Sequence, residues 1–248
     1  MSDLDRWEPS SSCDFNLNAQ AHIWKIPLKI SNTQSEQFLS WFDSDERERA
    51  ARFYFEKDQK SYTSTRGNLR LLLGKYLQQK PDFFKFSYNE WGKPFLKDQN
   101  IQFNVSHSKE VGLLAFCTDH PIGVDIEWKR PDFGGLKIAQ RFFSDTEISE
   151  LEGLPEKDQR QGFFNAWSRK EAYIKAAGKG LAIPLGKFSV SLAPNKECVL
   201  RSTEHDPEAV HNFKLINVNS DPEYASAVVV QQTIEKIKQY LVNSGNNN

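Results

Sequence analysis

A chain of 248 residues with 38% hydrophobic and 12% aromatic side chains holds enough apolar material for one large domain or two small ones. The formal net charge of −1 argues against any extended contact with nucleic acid or an anionic membrane. Cys13, Cys117 and Cys198 are three and far apart, which suggests neither a disulfide framework nor a zinc site, and no apolar run approaches a membrane span. The start, Met1 to Pro9, lacks a basic region followed by an apolar one, so a cytoplasmic protein is expected.

Taken in chain order, residues 8–20 and 243–248 are polar and turn-prone, so residues 1–20 and 241–248 are expected as flexible tails. His22-Ile-Trp-Lys-Ile-Pro-Leu28 reads as a strand, and Arg52-Phe-Tyr-Phe55 leads toward a long helical pattern. That helix should end at Leu69-Arg-Leu-Leu-Leu-Gly-Lys75, with Gly74 as its C-cap. Strands follow at Phe83 to Tyr88, Ile101 to Ser108 and Val111 to Cys117. The same order then returns: a strand at Ile122 to Trp128, Arg141-Phe-Phe-Ser144, and a helix ending at Tyr173-Ile-Lys-Ala-Ala-Gly-Lys179 with Gly178 as C-cap. Strands at Phe188 to Leu192 and Ala225 to Val230 close the series. A repeated strand-helix-strand-strand unit predicts an α+β fold, a pseudodimer of halves 21–120 and 121–240 with the active site at their interface.

Three carboxylates occupy positions where the local pattern favours apolar side chains. Asp125 and Glu127 are two apart on a strand and share a face, opposite Val124 and Ile126. Glu171 lies at i+4 from Trp167 and i−3 from Ile174, in the stripe that holds Phe164 and should face the core. Oxygen-only ligands grouped this way suit Mg²⁺, commonly held by one or two carboxylates together with phosphates and water. Arg169, Lys170, Lys175 and Lys179 surround Glu171 with positive charge that suits phosphate. Ile101-Gln-Phe-Asn-Val-Ser-His-Ser108 ends in hydroxyls and an imidazole, natural donors to phosphate oxygen, and the turn Glu90-Trp-Gly-Lys-Pro94 sets Lys93 between Gly and Pro.

Together, Trp-Gly-Lys-Pro (91–94), Asn-Val-Ser-His-Ser (104–108), Gly-Val-Asp-Ile-Glu (123–127), Arg-Phe-Phe-Ser-x-x-Glu (141–147) and Trp-Ser-x-Lys-Glu-Ala-x-x-Lys (167–175) resemble the 4′-phosphopantetheinyl transferases. The resemblance is to the long, monomeric, Sfp-type branch and spans roughly residues 44–192. It implies coenzyme A as substrate, bound between two α+β halves, and apo acyl or peptidyl carrier proteins as partners. By position, Asp125, Glu127 and Glu171 would hold Mg²⁺, with Mn²⁺ as the alternative. His107 would meet the 3′-phosphate with Ser106 nearby, Lys93 would run along the adenine and phosphates, and Lys170 and Lys175 would face the diphosphate beside Asp125. Arg49 matches one basic residue of the 3′-phosphate clamp, whereas Glu46 replaces another, and Lys60 stands one position from a third.

The implied reaction carries phosphopantetheine to a carrier serine and releases adenosine 3′,5′-bisphosphate. Lys175 would hold or protonate the leaving group, and the serine proton would pass to Glu171 or Glu147, directly or through a metal-bound water. The Phe133-Gly-Gly135 loop and the helix containing Ile138 are candidates for carrier docking. A Mg²⁺-dependent coenzyme A pyrophosphatase and a non-catalytic docking module are the alternatives. A metal-dependent nuclease fits poorly, since Glu171-x-x-x-Lys175 has the wrong spacing and the charge offers no DNA groove.

Overall fold

Strand β1 (Glu8–Pro9) and β2 (Gln20–Pro27) precede helices α1 (Asn32–Ser40), α2 (Ser44–Ala51) and α3 (Glu56–Leu77). Strands β3 (Phe86–Tyr88), β4 (Pro94–Leu96), β5 (Ile101–Ser108) and β6 (Val111–Thr118) follow. The second run begins with β7 (Gly123–Trp128), then α4 (Gly135–Phe142), α5 (Asp145–Gly153) and α6 (Glu156–Ala177). It continues through β8 (Phe188–Val190), β9 (Leu200–Thr203), α7 (Ala209–Asn212), β10 (Phe213–Asn217), β11 (Tyr224–Gln231) and β12 (Lys236–Leu241). The computed structural model describes residues 6–132, 134–218 and 221–242, apart from the side chain of residue 181. No helix among them is long and apolar enough to cross a membrane.

The main sheet runs β1-β12-β2-β6-β5 and a second runs β10-β11-β7. Residues alternate between faces of a strand, and here both faces of the central strands are buried. Trp24, Ile26, Leu114 and Phe116 pack on one side with Leu69, Leu72 and Leu73 of α3. Ile23, Leu113 and Ala115 pack on the other against Val124, Ile126 and Val228 of the second sheet, so the sheets meet back to back. Helix α6 covers the remaining face of the second sheet through Ala172, Ile174 and Ala176 against Ala225, Ala227 and Val229. The result is helix, sheet, sheet, helix.

The repeat is clearest in its chemistry. Both α2 and α5 open with a capping box, Asp43 with Glu46 and Ser144 with Glu147. In each case the glutamate is buried and bridges to the long helix that follows, Glu46 to Arg70 at 2.5 Å and Glu147 to Lys170 at 2.7 Å. The two α+β halves of the pseudodimer thus share a buried ion pair at matching positions.

Three boundaries differ from the sequence reading. Residues 8–20 are packed: β1 pairs with β12, Leu17 is buried, and Phe15 stacks on Trp24 at 5.7 Å between ring centres. Their polar residues close turns, with Asn16 N donating to Asp14 Oδ1 and Asn18 N to Asn16 Oδ1. The last strand, β12, pairs parallel with β2, so the chain end completes the sheet of the first half, where Tyr240 covers Trp24. Leu241 belongs to that strand; residues 1–5 and 243–248 of the expected tails lie outside the described residues. Gly74 is internal to α3, which runs on to Gln78 in the left-handed region, whereas Gly178 does cap α6 at φ +71°.

His22 sits inside this core, fully buried, with Nδ1 at 2.8 Å from the Tyr76 hydroxyl and Nε2 without a partner among the described residues. Burial, reinforced by Lys238, drives its pKa from 6.5 down to about 4. The native state therefore keeps the ring neutral while the unfolded chain takes up a proton, and stability falls as pH drops from 6.5 toward 4. The loss at full expression is about 3 kcal/mol. Urea melts across that window should show it, and His22→Asn should flatten the slope; an unchanged slope would refute the assignment.

Candidate active site

The site is built where β5 and β7 run side by side at the junction of the two sheets. Three alternate side chains of β5 receive three alternate backbone amides of β7. Val124 N donates to Asn104 Oδ1 at 2.8 Å, Ile126 N to Ser106 Oγ at 3.4 Å and Trp128 N to Ser108 Oγ at 3.0 Å. These bonds satisfy an edge strand that would otherwise expose its donors. Ser106, expected near a phosphate, is instead buried in this zipper.

The zipper turns Asp125 and Glu127 toward α6. Gly123 permits the close approach: a Cβ there would stand 2.1 Å from the Ala172 carbonyl oxygen. One turn of α6 then presents Glu171 and Lys175. Lys175 Nζ donates to Asp125 Oδ1 at 2.6 Å and to Ser106 Oγ at 3.1 Å, and Ser106 Oγ donates to the same Asp125 oxygen at 2.8 Å. Asp125 Oδ2 is buried without a hydrogen-bond partner among the described residues. Burial, with Asp125 and then Glu171 beside it, pushes the Glu127 carboxyl up to about 7 against the opposing pull of Lys175. Burial and Asp125 likewise raise Glu171 above the usual carboxylate range.

One ammonium thus serves three mutually repelling carboxylates, and an oxygen is left over. That excess of hard donors fits a divalent cation such as Mg²⁺. Among the described residues no group of three or more His, Cys, Asp or Glu side chains is placed to hold a metal ion by itself. The carboxylates can therefore supply only part of a shell, the remainder falling to water and phosphate oxygens.

Two cavities meet beside this cluster. One, of about 800 Å³, is lined by Lys29, Lys57, Lys60, His107 and Lys109, a basic set that outnumbers the carboxylates Glu56, Asp58 and Glu110 in the same wall. The other, of about 470 Å³, is lined by Glu127, Trp128, Ile138, Phe163, Phe164 and Trp167. They share Ser108 and Lys109. His107 opens into the basic cavity, its pKa held below the usual value by surrounding protein and by Lys175. Lys60 is there too, paired at 2.7 Å with Glu56. Ile138 lines the apolar cavity; Phe133 of the neighbouring loop lies outside the described residues.

Other residues expected at the ligand make contacts within the protein. Lys93 Nζ donates to the carbonyls of Ile122 (3.0 Å) and Lys175 (2.7 Å), so with Asn89, which donates to Gly178 O, it caps the C-terminal turn of α6. Burial lowers its pKa to about 8. Lys93→Ala is expected to cost about 1–3 kcal/mol of stability by leaving those carbonyls unpaired; a thermal melt matching that of the parent would contradict this role. Lys170 has no exposed surface: it holds Glu147 and donates to Leu185 O and Phe188 O at 2.7 and 2.6 Å. Glu147 is equally buried and accepts from Val190 N at 2.8 Å, which removes it as a base. Arg49 lies over Tyr62 in a separate cavity with Asp43 and Arg52, and Glu46 is spent on Arg70 and Arg66. Arg169, too, turns inward to Ser191 and Asn217.

Sequence reasoning missed Lys29, Lys57 and Lys109, whose only signal was scattered positive charge in segments far apart in the chain. Trp128, Phe163 and Trp167 were visible as aromatic residues but not as a cavity wall.

The sequence itself matches known proteins along most of its length. Residues 29–119 match the N-terminal domain of 4′-phosphopantetheinyl transferases and residues 121–229 match the 4′-phosphopantetheinyl transferase superfamily. The chain is 36% identical over 200 residues to the 4′-phosphopantetheinyl transferase HetI of Nostoc sp., covering 79% of this chain and 84% of the relative. It is 34% identical over 203 residues to the 4′-phosphopantetheinyl transferase Sfp of Bacillus subtilis, covering 80% and 86%. It is also 36% identical over 196 residues to the 4′-phosphopantetheinyl transferase gsp of Aneurinibacillus migulanus, covering 77% and 79%. With its two α+β halves and a carboxylate-lysine cluster at their seam, the chain belongs to the Sfp-type 4′-phosphopantetheinyl transferases.

Proposed function

We propose that this protein moves the 4′-phosphopantetheine group of coenzyme A onto a serine of an apo acyl or peptidyl carrier protein, releasing adenosine 3′,5′-bisphosphate. The observation that carries this reading is the group Asp125, Glu127, Glu171 and Lys175, of which Glu127 lines the apolar cavity that adjoins the basic one through Ser108 and Lys109. The basic cavity suits the phosphates and the apolar one the pantetheine arm. Asp125, Glu127 and Glu171 would hold Mg²⁺ or Mn²⁺, which when bound neutralises diphosphate charge that repels a nucleophile.

In the reaction the serine oxygen bonds to the phosphorus that carries the arm, and the bond from that phosphorus to the bridging oxygen breaks. Glu171 takes the serine proton, directly or through a water molecule. Lys175 holds the departing phosphate. Since one chain supplies both halves of the site, a monomer suffices, and the three free cysteines accord with a reducing cytoplasm. Neither nucleic acid nor membrane is assigned as a partner, the near-neutral net charge favouring neither.

The reading is tested by following adenosine 3′,5′-bisphosphate release from coenzyme A with Mg²⁺ in three arms: no carrier, apo carrier, and a carrier whose acceptor serine is alanine. Release only with the intact carrier is expected. Release without it would indicate the pyrophosphatase, and coenzyme A binding indifferent to Mg²⁺ with no release would indicate a docking module.

A further inference from the structure

Lys109 is the wall that both cavities share, and its backbone is unusual. It occupies the tip of the β5–β6 hairpin at φ +54°, a left-handed conformation that a non-glycine residue rarely adopts. From there its ammonium rests 3.8 Å from the centre of the Trp128 ring. Among the described residues no carboxylate lies within ion-pair distance of it. The charge is thus fixed in place by an indole and left available to an outside anion. Trp128 adjoins Glu127 at the end of β7 and forms part of the apolar cavity.

Resting on the transfer reaction proposed above, we propose that Lys109 and Trp128 are a substrate-gripping pair. The ammonium holds the coenzyme A diphosphate at the passage between the cavities, and the indole carries the first part of the pantetheine arm. The pair sets affinity and does no chemistry, because among the described residues neither the Lys109 ammonium nor the Trp128 indole makes an ion pair or hydrogen bond with Asp125, Glu127 or Glu171.

Calorimetry with coenzyme A and with 3′,5′-ADP, which lacks the arm, in the presence of Mg²⁺ tests the pair. Lys109→Ala should weaken coenzyme A about tenfold, and Lys109→Arg should recover to within about threefold of the parent. Trp128→Ala should weaken coenzyme A about tenfold while 3′,5′-ADP stays within about twofold. At saturating coenzyme A the transfer rate of Lys109→Ala should stay within about twofold of the parent, a KM effect without a kcat effect. Unchanged coenzyme A affinity in Lys109→Ala would overturn the proposal, as would equal loss of both ligands in Trp128→Ala. Should that variant melt below the assay temperature, Trp128→Leu replaces it with the same two outcomes. If the parent binds coenzyme A but loads no carrier, the transfer reaction fails; if the parent loads carrier and Lys109→Ala binds normally, only the gripping pair fails.

Discussion

Asp125→Ala is expected to lower transfer to an apo carrier protein by about a thousandfold or more, the loss that follows from removing several kcal/mol of charge stabilisation at the reacting phosphorus. The fold should survive the change. Asp125 adds negative charge to a cluster that already strains Glu127 and Glu171 upward in pKa, so its removal relieves repulsion even as it frees Lys175. The melting temperature should stay near that of the parent, and circular dichroism beside the activity assay separates the two effects. Retained transfer in the folded variant would show that Asp125 is not the centre of the site.

Lys170→Ala and Glu147→Ala are expected to behave oppositely. Each leaves one charge buried without its partner, a change that typically costs about 3–5 kcal/mol. Glu147 in addition closes the cap of α5 and accepts the Val190 amide, so its loss strands backbone donors as well. Both variants should melt well below the parent, yet at a temperature where they remain folded their kcat should be close to normal. Replacing both residues together with Leu and Met should recover much of the stability, since no lone charge then remains. A folded Lys170→Ala with coenzyme A affinity or rate lost would return this lysine to the ligand.

The two helix lysines explain how much of the site could be read before the structure. Period alone placed Asp125 with Glu127, because a strand has only two faces, and Glu171 with Lys175, because they are one helical turn apart. Which lysine of Lys170 and Lys175 meets the carboxylates depends on the rotation of α6 against β7, and that is set by Gly123 letting Ala172 and Ala176 approach. A 100° turn per residue is enough to send Lys170 to Glu147 instead. Ser106 and Lys93 show the same ambiguity: short polar residues at an edge can serve a ligand or the backbone, and here orphan amides and carbonyls claimed them. Residues 8–20 looked like a tail because their polar majority masked Phe15 and Leu17, two residues apart and both turned inward. The long-range pairing of β12 with β2 has no local signal at all, since parallel partners are brought together by the whole intervening chain.

The buried ion pairs that repeat between halves, Glu46 with Arg70 and Glu147 with Lys170, also leave the seam as the place where unpaired charge accumulates. There the cluster around Asp125 is asymmetric, one lysine against three carboxylates. Chemistry is concentrated where the pseudodimer departs from its own symmetry.

Intact-mass spectrometry of an apo carrier protein, after incubation with coenzyme A, Mg²⁺ and either the parent or Asp125→Ala, addresses this most directly. A mass gain of one phosphopantetheine group on the carrier serine with the parent, and none with Asp125→Ala, is the expected result. Equal gain with both, or none with the parent across a panel of acyl and peptidyl carriers, would contradict it.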